Sequence, residues 1–374
     1  MTKVLYRGSV KNLHGVFQGG ALVFEYSDAF SVFDWGRLPD PIIGKGAALA
    51  VMAASFFSKI QKPDTWREFS KSSEAQALRK ACPVAAALSE VCEEFQKTGV
   101  ATHFLGLVES GAAVLDGKAD LAAQLRPDRL IAEPYLAVRA VEVVRPRIGS
   151  VLGRQTPDYQ STRASAFPKL VPLEVVFRFS CPYGSSLFDR VKRDPGYLAS
   201  IGFTGNWDFP VLEVFTKLEP TDRALTFAEA LGISGLAAAD LERILLSTAW
   251  IAAYLKRVFS DLGLSLADGK LEWGMGSDGK LLLVDAIGPD ELRILSPNGV
   301  QLSKEFLRAF YRGDGKSGWY ATVEKAKALA RDRGVADWKK LMSEAAKEVQ
   351  DGRTEPPPLP ARERELAAQV YQSL

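Results

Sequence analysis

Glu272 and Asp285 lie on either side of a turn signal, Asp278-Gly279, in the stretch LADGKLEWGMGSDGKLLLVDAIGPD from Leu266 to Asp290. Asp-Gly between two alternating runs is a strong short hairpin signal. With those two residues as the turn, Ser277 pairs with Lys280 and Glu272 falls opposite Asp285 on one face. Directly opposed residues stand roughly 4.5–5.5 Å apart at Cβ, and like charges there destabilise the pair. A positive group therefore belongs between them. Lys270 supplies one charge from the same face, and a divalent cation carrying a nucleotide phosphate would supply the rest, since Mg2+ is commonly held by one or two carboxylates plus phosphate oxygens. Leu271, Leu281, Leu283 and Val284 indicate a half-buried strand rather than a solvated hairpin.

Other groups suit anions. In Tyr6-Arg7-Gly8-Ser9-Val10-Lys11, a glycine turn between strands lets backbone N–H groups approach phosphate, and Lys11 adds a point charge. Gly44-Lys45-Gly46 precedes a helix, where amides and Lys45 could hold an anion, with Asp28, Ser31 and Asp34 just upstream. An ordinary hairpin and an ordinary helix cap are the competing readings. Arg178 ends a buried strand before the loop Cys181-Pro182-Tyr183-Gly184-Ser185-Ser186, a placement that suits a phosphate clamp, and Arg293 and Arg308 add cations near the hairpin.

The elements that must carry these residues follow from pattern. At 374 residues the chain can build a large core, and a net charge of +2 neither suggests nor excludes nucleic acid. No basic stripe with interleaved aromatics argues for a nucleic-acid partner. Three cysteines without metal-ligand spacing fit a reducing cytoplasm, and the two histidines, His14 and His103, are too few for a His-based metal site or triad. Met1 to Val10 alternates like a strand and has no apolar signal region, and no apolar run is long enough to span a bilayer.

Short strands at Lys3–Tyr6, Val16–Phe17 and Ala21–Tyr26 precede a helix from about Gly46 to Lys59, which predicts a small antiparallel lobe over residues 1–108. Ser73–Lys97 reads as one helix, Thr102–Val108, Tyr135–Val144 and Leu170–Phe179 as strands, and Leu236–Leu262 as a long amphipathic helix. These place a larger α/β lobe at 109–314. Residues 145–167 read as an exposed aperiodic excursion. A helical extension is expected over 315–374, with helices near Ala321–Arg333 and Ala336–Gln350, then a polyproline spacer Glu355–Pro360 before a last helix.

Taken in order, these motifs resemble the SAICAR synthetases, purine-pathway ligases that join aspartate to a carboxylated aminoimidazole ribotide using ATP. The resemblance runs through LYRG…K (Leu5–Lys11), Asp28…Ser31…Asp34, GKG (Gly44–Gly46), GVATHF (Gly99–Phe104), PLEVVFR (Pro172–Arg178), DGKLEWG (Asp268–Gly274), VDAIGPDELR (Val284–Arg293) and SKEFLR (Ser303–Arg308). It implies an α+β fold with ATP between a small β lobe and a larger α/β lobe. It also implies phosphate binding by Gly8, Ser9 and Lys11, adenine near Glu174, and Mg2+ on Glu272 and Asp285. Arg178, Ser185, Asp268, Lys270, Arg293 and Arg308 resemble the ribotide set, with Asp34, Lys45 and Asp290 in the substrate pocket and Lys11, Asp268, Lys270 and Asp290 closest to the chemistry.

The implied partners are small molecules, a phosphorylated ribotide carboxylate and an amino acid. The chain departs from the family at Ser9, at Ala29 and at Ala286-Ile287-Gly288, where a carboxylate beside the metal ligand is gone. Two other readings stay open: a paralogous ligase for a different carboxylate and amine, as in nucleoside-like natural products, and a nucleotide binder without turnover.

Overall fold

A computed structural model describes residues 2–182, 184–313 and 318–374. Six short strands, β1 (Val4–Arg7), β2 (Lys11–Gly15), β3 (Ala21–Tyr26), β4 (Phe104–Val108), β5 (Leu125–Arg126) and β6 (Tyr135–Arg139), make one sheet in the order β1-β2-β3-β6-β4-β5. Its neighbours are antiparallel throughout. Because β6 inserts between β3 and β4, the first sheet reaches Arg139, beyond the boundary expected at residue 108. The second strand is Lys11–Gly15 rather than Val16–Phe17. The helix Lys45–Ile60 packs on this sheet, with Phe57 stacked on Phe104 of β4 at 5.8 Å between ring centres.

The expected excursion is structured. Its β7 (Arg147–Val151) and β8 (Arg154–Asp158) form a separate hairpin, followed by a short helix, Gln160–Ala164. A second sheet, in the order β11-β10-β9-β12-β13, is built from β9 (Lys169–Arg178), β10 (Val211–Thr216), β11 (Ala224–Leu225), β12 (Ser265–Met275) and β13 (Leu281–Val284), with β14 (Leu292–Leu295) also on β12. The helix Ala238–Asp261 covers it, burying Trp250, Ile251 and Leu255. The helix expected over Ser73–Lys97 is two, Ser73–Ala81 and Ala85–Thr98, broken where Pro83 removes a donor and restricts the residue before it.

The chain past residue 317 is part of the same core. Trp319, Val323, Trp338, Met342, Leu359 and Tyr371 join the cluster that also holds Phe30, Phe57 and Trp250. The boundary expected between 314 and 315 lies outside the described residues. After the helix Trp319–Arg333, the single helix expected at 336–350 is instead three short helical pieces, a tight 3-10 turn Trp338–Leu341, an α turn Met342–Ala345 and a second 3-10 turn Ala346–Glu348. The first is capped by Asp337, whose side chain accepts from Lys339 N–H at 3.2 Å. The polyproline segment is anchored: Leu359 N–H donates to Asp40 Oδ2 at 2.7 Å and Tyr311 Oη to the Pro357 carbonyl at 3.4 Å. A last helix, Ala361–Ser373, then lies against Lys45–Ile60.

Candidate active site between two sheets

The hairpin forms with a register one residue away from expectation. Gly276 N–H donates to the Lys280 carbonyl at 2.8 Å and Gly279 N–H to the Gly276 carbonyl at 2.9 Å, with Gly279 left-handed at φ 73°. That is a three-residue loop, Ser277 to Gly279, so Glu272 pairs with Val284 rather than Asp285. The carboxylate directly opposite Glu272 is instead Glu174 on β9. Two ammonium groups occupy the space that like charges require. Lys217 Nζ lies 2.8 Å from Glu174 and 2.6 Å from Glu272, and Lys270 Nζ 2.7 Å and 3.2 Å from the same oxygens. Glu174 therefore sits in the charged centre beside Glu272.

Asp285 joins this centre by another route. It follows the end of β13 in a left-handed backbone (φ 70°), and its carboxylate pairs with Lys11 while its carbonyl meets His103 Nε2 at 3.1 Å. Such a conformation in a residue with a Cβ is strained and clusters at functional sites. Lys11 Nζ also stands 4.6 Å from the Phe24 ring centre. Burial raises the pKa of all three carboxylates, but the lysines decide two of them. Lys270 and Lys217 hold Glu174 down to about 2, and Lys11 holds Asp285 below the usual range. Burial and the nearby Asp285 push Glu272 up. Among the described residues no three His, Cys, Asp or Glu side chains gather as a complete metal cage. Two hard oxygen donors, Glu272 and Asp285, fit Mg2+ that brings phosphate oxygens with it.

Beside this centre, buried acids hold arginines in place. Arg178 Nε donates to Glu213 at 2.6 Å, Arg178 Nη1 to Asp268 at 2.9 Å, and Arg190 Nε to the other Glu213 oxygen at 2.6 Å. Asp268 also faces Arg293 at 3.5 Å, and Glu305 collects Arg293, Arg308 and Arg312. Ser185 Oγ lies 3.5 Å from Arg178, while Tyr183 of the same loop is outside the described residues. Arg293 Nη1 is buried, and its contact with Asp268 Oδ2 at 3.5 Å is an ion pair without hydrogen-bond geometry. Burial raises Asp268 despite both arginines, so this acid serves as their organiser.

The Gly44-Lys45-Gly46 turn works differently from expectation. The helix amides are filled from within: Asp28 accepts from Gly44 N–H at 3.2 Å and Gly46 N–H at 2.9 Å. This negative charge complements the helix N-terminus and leaves no anion site there. Lys45, 0% exposed, points to Asp290 at 2.8 Å and the Ala29 carbonyl at 3.3 Å. Asp34 pairs with Lys327 at 2.8 Å, and Phe33 and Asp34 are successive left-handed residues at φ 54° and 60°.

One cleft of about 1070 Å³ is lined by Gly8, Ser9, Asp34, Glu174, Arg178, Lys217, Asp268, Lys270, Asp290, Arg293 and Arg308 among others, whereas Lys11, Lys45, Ser185, Glu272 and Asp285 are not part of its lining. Eleven Lys and Arg side chains face it against six acids, an excess of five positive charges suited to polyanionic ligands. Lys217, Arg37, Arg190 and Asp222 line the cleft outside every sequence motif named above; Lys217 directly follows β10, and the others lie in loops or on a short helix without a spacing cue. Glu291 is raised to about 7, first by burial and then by Asp290 and Asp285, while Asp222 is exposed at the cleft edge.

A fold of this kind around such a cleft belongs to a class of enzyme, the ATP-dependent ligases. The chain is a member of the SAICAR synthetase family, whose sequence model matches residues 4–326. A protein of Archaeoglobus fulgidus provisionally described as a phosphoribosylaminoimidazole-succinocarboxamide synthase is 30% identical over 98% of this chain and 91% of its own length. A Thermoplasma volcanium phosphoribosylaminoimidazole-succinocarboxamide synthase is 26% identical over 84% of each. Among solved structures, a type-2 SAICAR synthetase in complex with ADP shares the fold at a TM-score of 0.50, with 19% identity over 93% of this chain and 99% of that one. The expected α+β fold and ligase class are therefore correct, and among the described residues no helix is long and apolar enough to cross a membrane.

Proposed function

We propose that the chain joins L-aspartate to carboxyaminoimidazole ribotide, activating the ribotide carboxylate as an acyl phosphate at the expense of ATP. The observation that carries this reading is that one cleft is lined both by Glu174, Lys217 and Lys270, the lysines that also hold Glu272, and by the Arg178–Arg293–Arg308 wall. A carboxylate is a poor electrophile at neutral pH, and phosphorylation gives it a leaving group. Lys11, Lys217 and Lys270 would neutralise the charge on the transferred phosphoryl group, while Arg178, Arg293 and Arg308 hold the ribotide phosphate by charge-assisted bonds. Glu272 and Asp285 would hold Mg2+, which when bound supplies electrophilic stabilisation of phosphate oxygens.

The amine must shed a proton as it attacks. Asp268 and Asp290 are engaged by Arg178 and Lys45, so they orient; Glu291, which lines the cleft and has a pKa near 7, is suited to take the proton. No covalent nucleophile is required. The test is an ADP-release assay: release that needs carboxyaminoimidazole ribotide and aspartate together supports the reading, and release with neither or no release overturns it.

A second reading, the same chemistry on another carboxylate and amine, is favoured by Ala286 and Ile287. Ala286, at 6% exposure, stands where the resemblance leads one to expect a carboxylate, and Ile287 beside it is fully buried. Competition between the ribotide and alternative carboxylates separates the two.

A further inference from the structure

The last helix reaches back into the cleft. Tyr371 is 2% exposed, and its hydroxyl donates to Asp290 Oδ1 at 2.6 Å while Lys45 holds Oδ2 at 2.8 Å. Lys45 Nζ in turn lies 5.1 Å from the Tyr371 ring centre. Tyrosine and lysine thus fix both oxygens of one carboxylate that lines the cleft. The family match ends at residue 326, well before this helix.

We infer that Tyr371 is a positioning residue of the active site, holding Asp290 and Lys45 in the orientation the substrate pocket uses. This rests on the ligase reading above. The helix is held independently of that contact. Gln372 Nε2 donates to the Ile43 carbonyl at 3.1 Å, Arg364 pairs with Asp40 at 3.5 Å, and Leu359 and Ala367 are buried at its start and middle. Without the hydroxyl, Oδ1 would be left in a buried place with no donor among the described residues, and a buried carboxylate oxygen without a donor turns toward another. Its rotation would carry Lys45 with it, because Asp290 is the only carboxylate paired with that ammonium among the described residues.

The test compares wild type with Y371F in the full chain. The expected result is a fall of roughly tenfold in kcat/KM for the ribotide and amine substrates, with the KM for ATP unchanged, as the loss of one hydrogen bond to a charged group implies. A change only in thermal stability, with wild-type kinetic constants, overturns the inference. Leu359→Ala, which loosens the tail at its anchor and leaves the tyrosine in place, should give a weaker change of the same kind; wild-type constants there and in Y371F together refute it. A structure of Y371F decides the matter without turnover: an unmoved Asp290–Lys45 pair overturns the inference, a rotated one supports it. An inactive wild type would count against the ligase reading, not against this geometry.

Discussion

At the scale of single residues, the decisive fact is that each catalytic-looking carboxylate already has a cation. Removing Glu272 therefore does more than relieve repulsion with a neighbour. It leaves Lys217 and Lys270 sharing Glu174 alone. Glu272→Gln should lower stability by about 2 kcal/mol in urea unfolding, on the scale of breaking a partly buried pair, while turnover falls by roughly 100-fold or more. Asp285→Asn should match that loss of turnover with an unchanged circular dichroism spectrum; near-normal activity would remove both residues from the chemistry. Glu291 gives a pH test. Its folded-state ionisation is raised from 4.5 to about 7, so protonation favours the fold, and the stability it lends is complete below about pH 4.5 and lost as pH climbs through 7. The unfolding free energy of Glu291→Gln in urea, relative to wild type, should therefore rise between pH 5 and pH 8, by an amount on the order of 2 kcal/mol before solvent screening reduces it. A flat difference across that range would show that Glu291 is not held protonated.

Among the elements, the alternation around Asp278-Gly279 identified the strands and the face that carries Glu272 and Lys270. It could not show the loop length, because Asp-Gly suits both a two-residue turn and a three-residue loop with glycine last. One residue of difference moved Asp285 off the position opposite Glu272, and a left-handed backbone returned it to the same charged centre. Glu174 was legible as a site residue only through resemblance, since its partner strand is a hundred residues away. The Gly44-Lys45-Gly46 motif shows a similar limit: sequence gave a helix start beside an acid, and only the fold shows that Asp28 fills it. Asp28→Ala should cost about 1 kcal/mol in chemical denaturation, the usual loss for an N-terminal cap, and should weaken substrate binding through Lys45. Unchanged stability would mean that water replaces the carboxylate.

For the whole molecule, the two segments that sequence set apart, residues 145–167 and the tail, are built onto each other. Arg154 donates to the carbonyls of Arg331 at 2.7 Å and Asp332 at 3.3 Å, capping the helix Trp319–Arg333, and Gln155 N–H meets Gly334 O at 3.1 Å. Together with the loop after β10 they wall a second cavity of about 820 Å³, which shares Arg190, Phe215, Asp222 and Lys327 with the main cleft. Such contacts pair residues far apart in sequence through backbone carbonyls, and no local pattern encodes them. Charge is distributed unevenly on the same scale. The chain's net charge is +2, yet the residues lining the main cleft carry an excess of five cations, so the rest of the chain is net acidic and positive charge is concentrated at the cleft. Polyanion capture should therefore be sensitive to screening. Raising ionic strength from about 0.05 M to 0.5 M, which shortens the Debye length from roughly 14 Å to 4 Å, should raise the KM for the phosphorylated substrate severalfold and leave kcat nearly constant. Initial-rate measurements at fixed pH across that series check this, and a KM independent of salt would show that the buried arginines bind by contact geometry alone.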